Sequence, residues 1–212
     1  MPVSTRPAAW CAAALLLTGC SHTVTGVATR AIPGIDDDSR SPVDVETVML
    51  DQSQMRAITG AGEELSIIPS MDAKSPVDIE LLADTAPPQC RWFFAETQVF
   101  GPDVEEFHKT TFQHPPKGGL ISQAAAAYRT PEQARGAFTD LVAAVQACHA
   151  TDHGSLLVGD WDATADALTT RAGACGRDYR VKSVVLAEVT FCRFPASVPE
   201  LVLTNILKSV PE

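Results

Sequence analysis

The sequence predicts an α+β domain, and three observations lead to this fold class. One long segment, 131–150, carries apolar residues at spacings of three and four, as an amphipathic helix does. Shorter segments rich in β-branched and aromatic residues lie between Gly and Pro turns, which is typical of strands. Four cysteines follow an N-terminal export signal, and an even number of cysteines in an exported chain predicts disulfides.

The export signal is predicted over residues 1–19. Its apolar run ends in Leu17-Thr18-Gly19-Cys20, a tetrad that resembles the lipobox of bacterial lipoproteins. The resemblance implies that Cys20 receives a diacylglyceryl group, that the chain is cut before it, and that the acyl chains hold the protein at the extracytoplasmic face of the cell membrane. An ordinary secretory signal and an N-terminal helix with a buried Cys are the alternatives. The run is too short to span a bilayer, which needs about 20 apolar residues.

Residues 20–40 are predicted to form a flexible tether, and residues 41–212 the folded domain. The tether segment shows no apolar period and contains the breaker pair Pro33-Gly34. The formal net charge of the whole chain is -10. An acidic chain without a basic cluster is unsuited to nucleic acid, since that binding depends on neutralising phosphates. No nucleic-acid partner is therefore expected.

Cys90, Cys148, Cys175 and Cys192 are expected to form two disulfides. Four cysteines allow three pairings, and the residues alone leave them open. A zinc site is the alternative, but the sequence has no CxxC pair and export favours oxidation.

The first part of the folded domain is predicted to be helical. A short helix begins with Ser41 as its cap and Pro42 as its first residue, and runs to about Met49. A second helix is capped by Asp51 and ends at Gly60. The segment 63–84 is predicted to be an irregular loop.

The middle of the chain is predicted as strand, helix, strand and long helix. Segment 91–100 is interpreted as a strand because it is rich in aromatic and β-branched residues. Segment 104–111 is predicted to be a short helix and 120–128 a strand. Thr130 then caps the long helix, with a capping box. The apolar face of this helix comprises Ala134, Phe138, Leu141, Val142, Val145 and Cys148.

Three more strands and a closing helix complete the prediction. The strands cover 154–158, 165–171 and 180–193, and the last is the most apolar, so we expect it at the centre of the sheet. The closing helix starts at Val198 or Pro199 and is capped by Ser197. Its predicted apolar face comprises Leu201, Ile206, Leu207 and Val210.

The order of several motifs is similar to that of a known family. They are a Pro-preceded Cys90, a Gln123-Ala124 strand leading to a Thr-Pro helix that ends in Cys148, a Gly159-Asp160-Trp161 turn, and a Val-rich strand between Cys175 and Cys192. This pattern resembles the PknH-like extracellular domain. That domain is the sensor at the external end of certain mycobacterial receptor serine/threonine kinases, and it also occurs alone in mycobacterial lipoproteins.

The resemblance implies a twisted antiparallel sheet packed with helices, and disulfides that pair Cys90 with Cys148 and Cys175 with Cys192. It also implies a groove proposed to bind an unidentified ligand, and no catalytic residues. The sequence holds no kinase domain and no transmembrane helix, so any sensing is expected to end in a partner or a released ligand. Residues 179–183 lack the Asn that the family commonly has before its last Val-rich strand, and groove chemistry is therefore not transferred there.

The histidines are the candidates for metal binding or catalysis, and neither use is expected. His149 and His153 are four residues apart, but they lie at a predicted helix end without a third ligand. His108 and His114 could act as a base, but no G-x-S-x-G motif accompanies them. The sequence also lacks a P-loop and a dinucleotide-binding motif, so no cofactor is expected.

Trp92 and Trp161 are the candidate ligand-binding residues. Trp92 lies in an aromatic segment where core packing is the simpler interpretation. Trp161 is flanked by two aspartates in a predicted turn, which suits a rim or partner contact.

The sequence thus favours a lipid-anchored extracytoplasmic domain that binds a cell-envelope ligand or an envelope protein without catalysis. An envelope lipid or glycolipid carrier is one alternative, and it predicts an enclosed apolar cavity large enough for acyl chains. An envelope hydrolase is the other, and it predicts a Ser or Asp within hydrogen-bond reach of a histidine.

Overall fold

The sheet at the centre of the protein has seven antiparallel strands in the part of the chain that the structure describes. The structure is a computed structural model that describes residues 41–212, so the predicted signal, Cys20 and tether lie outside the described residues. The spatial order of the strands is β1-β2-β3-β7-β6-β5-β4, and β7 lies at the centre as predicted. The strands are β1 (Ser66–Ile67), β2 (Glu106–His114), β3 (Gly119–Ala127), β4 (Asp160–Ala163), β5 (Ala167–Ala172), β6 (Cys175–Lys182) and β7 (Val185–Cys192).

Helices cover both faces of this sheet, which confirms the predicted α+β class. The helices are α1 (Val45–Val48), α2 (Gln52–Thr59), α3 (Glu80–Ala83), α4 (Glu96–Phe100), α5 (Pro131–His149), α6 (Asp152–Val158) and α7 (Ser197–Ser209). Helices α1, α2 and α7 pack on the first face through one buried cluster. Helices α4, α5 and α6, with the 3₁₀ segment Pro88–Phe93, pack on the second face through another.

The first helices are fastened to the sheet by Gln123, which is fully buried in β3. Its side-chain Oε1 accepts a hydrogen bond from the backbone N–H of Leu50 at 3.2 Å. Its Nε2 donates to the carbonyl oxygen of Leu50 at 2.6 Å. One amide side chain therefore satisfies both backbone groups of a residue in the α1–α2 connection.

Two disulfides crosslink the second face. Cys90 is bonded to Cys148 at the end of α5, and Cys175 is bonded to Cys192 across β6 and β7, where the two residues are register partners. Both pairings are those implied by the family resemblance. The Cys90 bond fastens a 3₁₀ segment, not a strand, to α5.

The prediction of a strand over residues 91–100 is wrong. The chain forms the 3₁₀ segment Pro88–Phe93 and then helix α4, which is followed by Gly101 with φ 72°. β-propensity measures how well a side chain packs on a half-buried surface, and aromatic rings pack equally well from a 3₁₀ turn laid against the sheet. Trp92 is buried in this way.

Two further predictions are wrong, because one predicted helix is a strand and one predicted strand is a helix. Residues 106–111 of the segment 104–111 belong to strand β2, whose adjacent Thr110 and Thr111 favour extended backbone. Segment 154–158 belongs to helix α6, because the Thr151 hydroxyl caps it by accepting from the N–H of Gly154 at 3.0 Å.

The single strand predicted over 180–193 is a hairpin of β6 and β7. Its turn contains Ser183 with φ 50°, so the left-handed turn residue is neither Gly nor Asn, and the usual turn signal is absent.

Helix ends also differ in places from the predicted positions. Asp44, not Ser41, caps α1. Helix α7 begins at Ser197 itself, and Leu201 on its predicted apolar face is exposed. The capping boxes of α2 and α5 are confirmed, at Asp51 and Thr130.

Candidate functional site

A groove of about 380 Å³ lies on the second face of the sheet, beside the Cys175–Cys192 disulfide. Its floor is formed by β2, β3, β7 and β6, and the segments 70–79 and 92–96 form its walls. A depression of about 550 Å³ also exists, but it is lined mainly by exposed loop residues such as Lys74, Ser75 and Pro102. The smaller groove has several hydrogen-bonding side chains on its floor, and two of them, Ser122 and Glu188, are buried, so we take it as the candidate site.

The polar side chains of the groove floor come from two neighbouring rows of residues that run across the strands of the sheet. Register pairs place Ser122, Thr190 and Arg177 in one row, because residues opposite each other in an antiparallel sheet share a face. The next row along the strands contributes Lys109 and Glu188. The strands therefore fix five hydrogen-bonding side chains on a rigid surface.

Arg177 joins the floor to the aromatic wall. Its Nη2 donates to the carbonyl oxygen of Phe93 at 2.7 Å, and its guanidinium lies over the Phe93 ring at 4.0 Å from the centroid. Burial opposes the charge of Arg177, but the nearby Tyr179 and Glu188 outweigh burial and raise its pKa. Arg177 is therefore a fixed cation at the floor of the groove.

Glu188 is the buried carboxylate of the floor, with 8% of its surface exposed. Its Oε1 accepts from the Thr190 hydroxyl at 2.5 Å. Among the described residues, Oε2 has no hydrogen-bond partner, and no Lys, Arg or His nitrogen lies within 4.0 Å of this carboxylate. Burial raises the pKa of the neighbouring Tyr179 phenol, and the negative charge of Glu188 raises it further. Tyr179 therefore stays neutral beside Glu188.

The two walls of the groove are joined to each other by hydrogen bonds. The N–H of Ile79 donates to the carbonyl oxygen of Phe94 at 2.8 Å. The Asp78 carboxylate accepts from both the N–H and the hydroxyl of Thr97 at the start of α4, at 3.0 and 2.6 Å. Lys109 of the floor forms an ion pair with Glu96. These contacts hold the segment 77–79 in a defined position at the mouth.

His108 lies on the opposite face but contacts a groove residue. Its Nε2 is 3.2 Å from Asp72, which lines the groove, and its Nδ1 is 3.3 Å from Glu46 on α1. The Thr110 hydroxyl donates to Asp72 at 2.8 Å. Burial raises the pKa of Asp72, but hydrogen bonds from Thr110 and His108 outweigh this and hold it below its usual value.

This cluster meets the criterion of the hydrolase alternative, since an Asp lies within reach of a histidine. Its geometry is nevertheless that of a crosslink. The two ring nitrogens of His108 face two different carboxylates, and the Thr110 hydroxyl directs its proton to Asp72. Within residues 41–212 no three or more His, Cys, Asp or Glu side chains are arranged to hold a metal ion.

The sequence-predicted site residues fall in different places. Trp92 lines the groove, whereas Trp161 lies in β4 with its ring 6.2 Å from that of His149. His149 ends α5 while His153 belongs to α6, so they do not share one helix. His114 is buried at the end of β2 and stacks on Phe194.

The groove residues that the sequence analysis missed are Lys109, Ser122, Arg177, Glu188 and Thr190. One signal could have indicated two of them. Glu188 and Thr190 are two residues apart in the most apolar strand, so they share a face of a buried sheet where polar side chains are unusual.

The helix-covered sheet, its two disulfides and the groove define a crosslinked α+β domain. No helix among the described residues combines the length and apolar character needed to cross a membrane. The family model of the PknH-like extracellular domain matches residues 41–208, and the chain therefore belongs to this family. Because the family consists of extracellular domains, this domain belongs outside the cytoplasm.

A solved structure shares the fold. It is the crystal structure of the extracellular domain of PknH from Mycobacterium tuberculosis, with a TM-score of 0.58 and 15% sequence identity over 80% of this chain and 97% of that chain. At this identity the likeness shows the fold alone. The comparison with curated proteins gives no match.

Proposed function

We propose that this protein is a non-catalytic binding domain that holds an envelope ligand, or an exposed part of an envelope protein, in the groove described above. The Glu188 carboxylate carries the proposal, because its Oε2 has no hydrogen-bond partner among the described residues and the side chain lines the groove. A ligand in the groove can donate to this oxygen, and a hydrogen bond to a charged acceptor is stronger than one to a neutral acceptor. The volume is within the range of small-molecule sites, about 300–1,000 Å³.

The two rivals have less support. A lipid carrier needs an enclosed apolar cavity, whereas this groove has a polar floor and exposed rim residues, Met71, Val77 and Ile79. A hydrolase needs a nucleophile that gives its proton to a base, and the hydroxyl beside His108, that of Thr110, instead donates to Asp72.

The test is native mass spectrometry of the full chain purified from the envelope in which it is made. We expect a reproducible extra mass on the wild-type protein. Val77→Trp puts an indole at the half-exposed groove mouth and should remove that mass. Leu156→Trp, at an exposed position in α6 away from the groove, is the matched control and should keep it. An extra mass that persists in Val77→Trp, or no extra mass on any of the proteins, contradicts the proposal.

We also propose that Cys20 carries the lipid that attaches the domain to the outer face of the cell membrane. The tetrad Leu17-Thr18-Gly19-Cys20 and membership of an extracellular family support it. Cys20→Ser should move the protein from the membrane fraction to the soluble fraction and remove the diacylglyceryl mass from the N-terminal peptide. A Cys20→Ser protein that stays in the membrane fraction contradicts the proposed anchor.

A further inference from the structure

The floor of the groove offers hydrogen-bond donors and acceptors at neighbouring points. Arg177 uses one of its five guanidinium N–H groups on the Phe93 carbonyl and lies beside the Tyr179 phenol, which leaves further N–H groups for a ligand. Glu188 offers a free carboxylate oxygen on the adjacent strand. The Ser122 hydroxyl, 8% exposed as a residue, has no partner in the described residues and can donate or accept.

Most charges that line the groove are engaged with other groups of the protein, which disfavours an ionic ligand. Lys109 is paired with Glu96, and Asp72 is held by Thr110 and His108. The two charges with free hydrogen-bonding capacity are Arg177 and Glu188, and they have opposite signs. An anion would be attracted by Arg177 and repelled by Glu188, and a cation would be attracted by Glu188 and repelled by Arg177.

The wall above this floor is aromatic. Phe93 contacts Trp92 and Phe94 edge to face, with centroid distances of 5.6 and 5.1 Å, and all three residues line the groove. Phe93 and Phe94 are half-buried, so part of their surface is available to a ligand. An aromatic surface of this kind accommodates an apolar C–H face.

We propose that the groove binds a neutral saccharide, an inference that rests on the proposed function of the groove as a binding site. A sugar hydroxyl both donates and accepts hydrogen bonds. Adjacent hydroxyls can therefore donate to Glu188 and accept from Arg177 at the same time without adding charge. The C–H face of the sugar ring packs against Phe94, because the Arg177 guanidinium already lies over the Phe93 ring. The volume of about 380 Å³ suits a monosaccharide or the terminal unit of a longer chain.

The test is saturation-transfer NMR on the full chain in a detergent without a sugar headgroup. The neutral probes are the methyl glycosides of glucose, galactose, mannose and arabinose, and the counter-probes are glucuronate, glucosamine and octanoate. We expect transfer to the ring protons of at least one neutral glycoside. Glucuronate and glucosamine should bind more weakly than their neutral counterpart.

Two variants identify the site of that binding. Glu188→Gln keeps the shape and should weaken the glycoside by about tenfold, because a hydrogen bond to a carboxylate is roughly twice as strong as one to a neutral acceptor. Glu200→Gln, at an exposed position in α7, is the matched control and should bind as the wild type does. Thermal melting of both variants shows that they are folded.

The outcomes separate this inference from the proposed function. Transfer to no neutral glycoside, or transfer that Glu188→Gln leaves unchanged, overturns the saccharide proposal. If the envelope-derived mass depends on Val77 but contains no sugar, the groove stands as a binding site and the saccharide class is wrong. If Val77→Trp changes neither the envelope-derived mass nor glycoside binding, both proposals are wrong.

Discussion

The two disulfides should contribute unequally to stability, and the structure gives the size of the difference. Each is removed by a double substitution to Ala. The Cys90–Cys148 bond closes a loop with a sequence separation of 58, and the Cys175–Cys192 bond one of 17. If a disulfide acts by restricting the unfolded chain, these loops correspond to about 4 and about 3 kcal/mol at 25 °C.

Side-chain packing increases this difference in stability between the two disulfide variants. Cys90 and Cys148 are fully buried, so their replacement also loses apolar contact in the core. Cys175 and Cys192 are half-buried and lie in strands whose backbone ladder remains after the bond is removed. The double variant of Cys90 and Cys148 should therefore lose at least about 1 kcal/mol more than the other.

Urea unfolding followed by circular dichroism measures both losses. Wild type, Cys90→Ala/Cys148→Ala and Cys175→Ala/Cys192→Ala are compared by midpoint and slope, and both variants should show somewhat larger slopes because the uncrosslinked chain exposes more surface. A greater loss of stability for the Cys175–Cys192 variant would refute the loop-entropy reasoning.

Two further predictions concern single side chains. Gln123→Leu should lower the free energy of unfolding by roughly 2–3 kcal/mol, because it leaves the buried N–H and carbonyl of Leu50 without partners. Urea unfolding measures this loss. A loss below about 0.5 kcal/mol would contradict the role assigned to Gln123. Asp72 has a lowered pKa in the folded state, so it stabilises the fold above its unfolded pKa of about 3.9, and this contribution is lost as the pH falls through the folded value. Asp72→Asn should flatten the fall in melting temperature below about pH 4, and an unchanged acid dependence counts against this assignment.

Local signals predicted those elements whose structure is decided locally. Helix α5 could be predicted because its capping box at Thr130 and its apolar period both lie within its own sequence. The central position of β7 could be predicted because a strand buried on both faces is almost continuously apolar.

The remaining elements depend on distant partners that the sequence does not reveal. The segment 91–100 has a strand-like composition, but the Cys90 disulfide and the stacking of Arg177 on Phe93 hold it as a 3₁₀ turn and a short helix. The groove depends on the register of β3, β7 and β6, which brings together residues more than sixty positions apart, such as Ser122 and Thr190. Trp92 could be singled out by its residue type, but the polar floor required the sheet.

The two outermost strands of the sheet, β1 and β4, bear on how this protein behaves at high local concentration. An unpaired strand edge can recruit another chain by backbone hydrogen bonding, and short or charged edges resist this. Strand β1 has two residues and is followed by Pro69, while β4 has four and carries the exposed Asp160 and Asp162. Both edges of the sheet are thus poorly suited to edge-to-edge assembly, so many copies of the domain can lie side by side without joining their sheets.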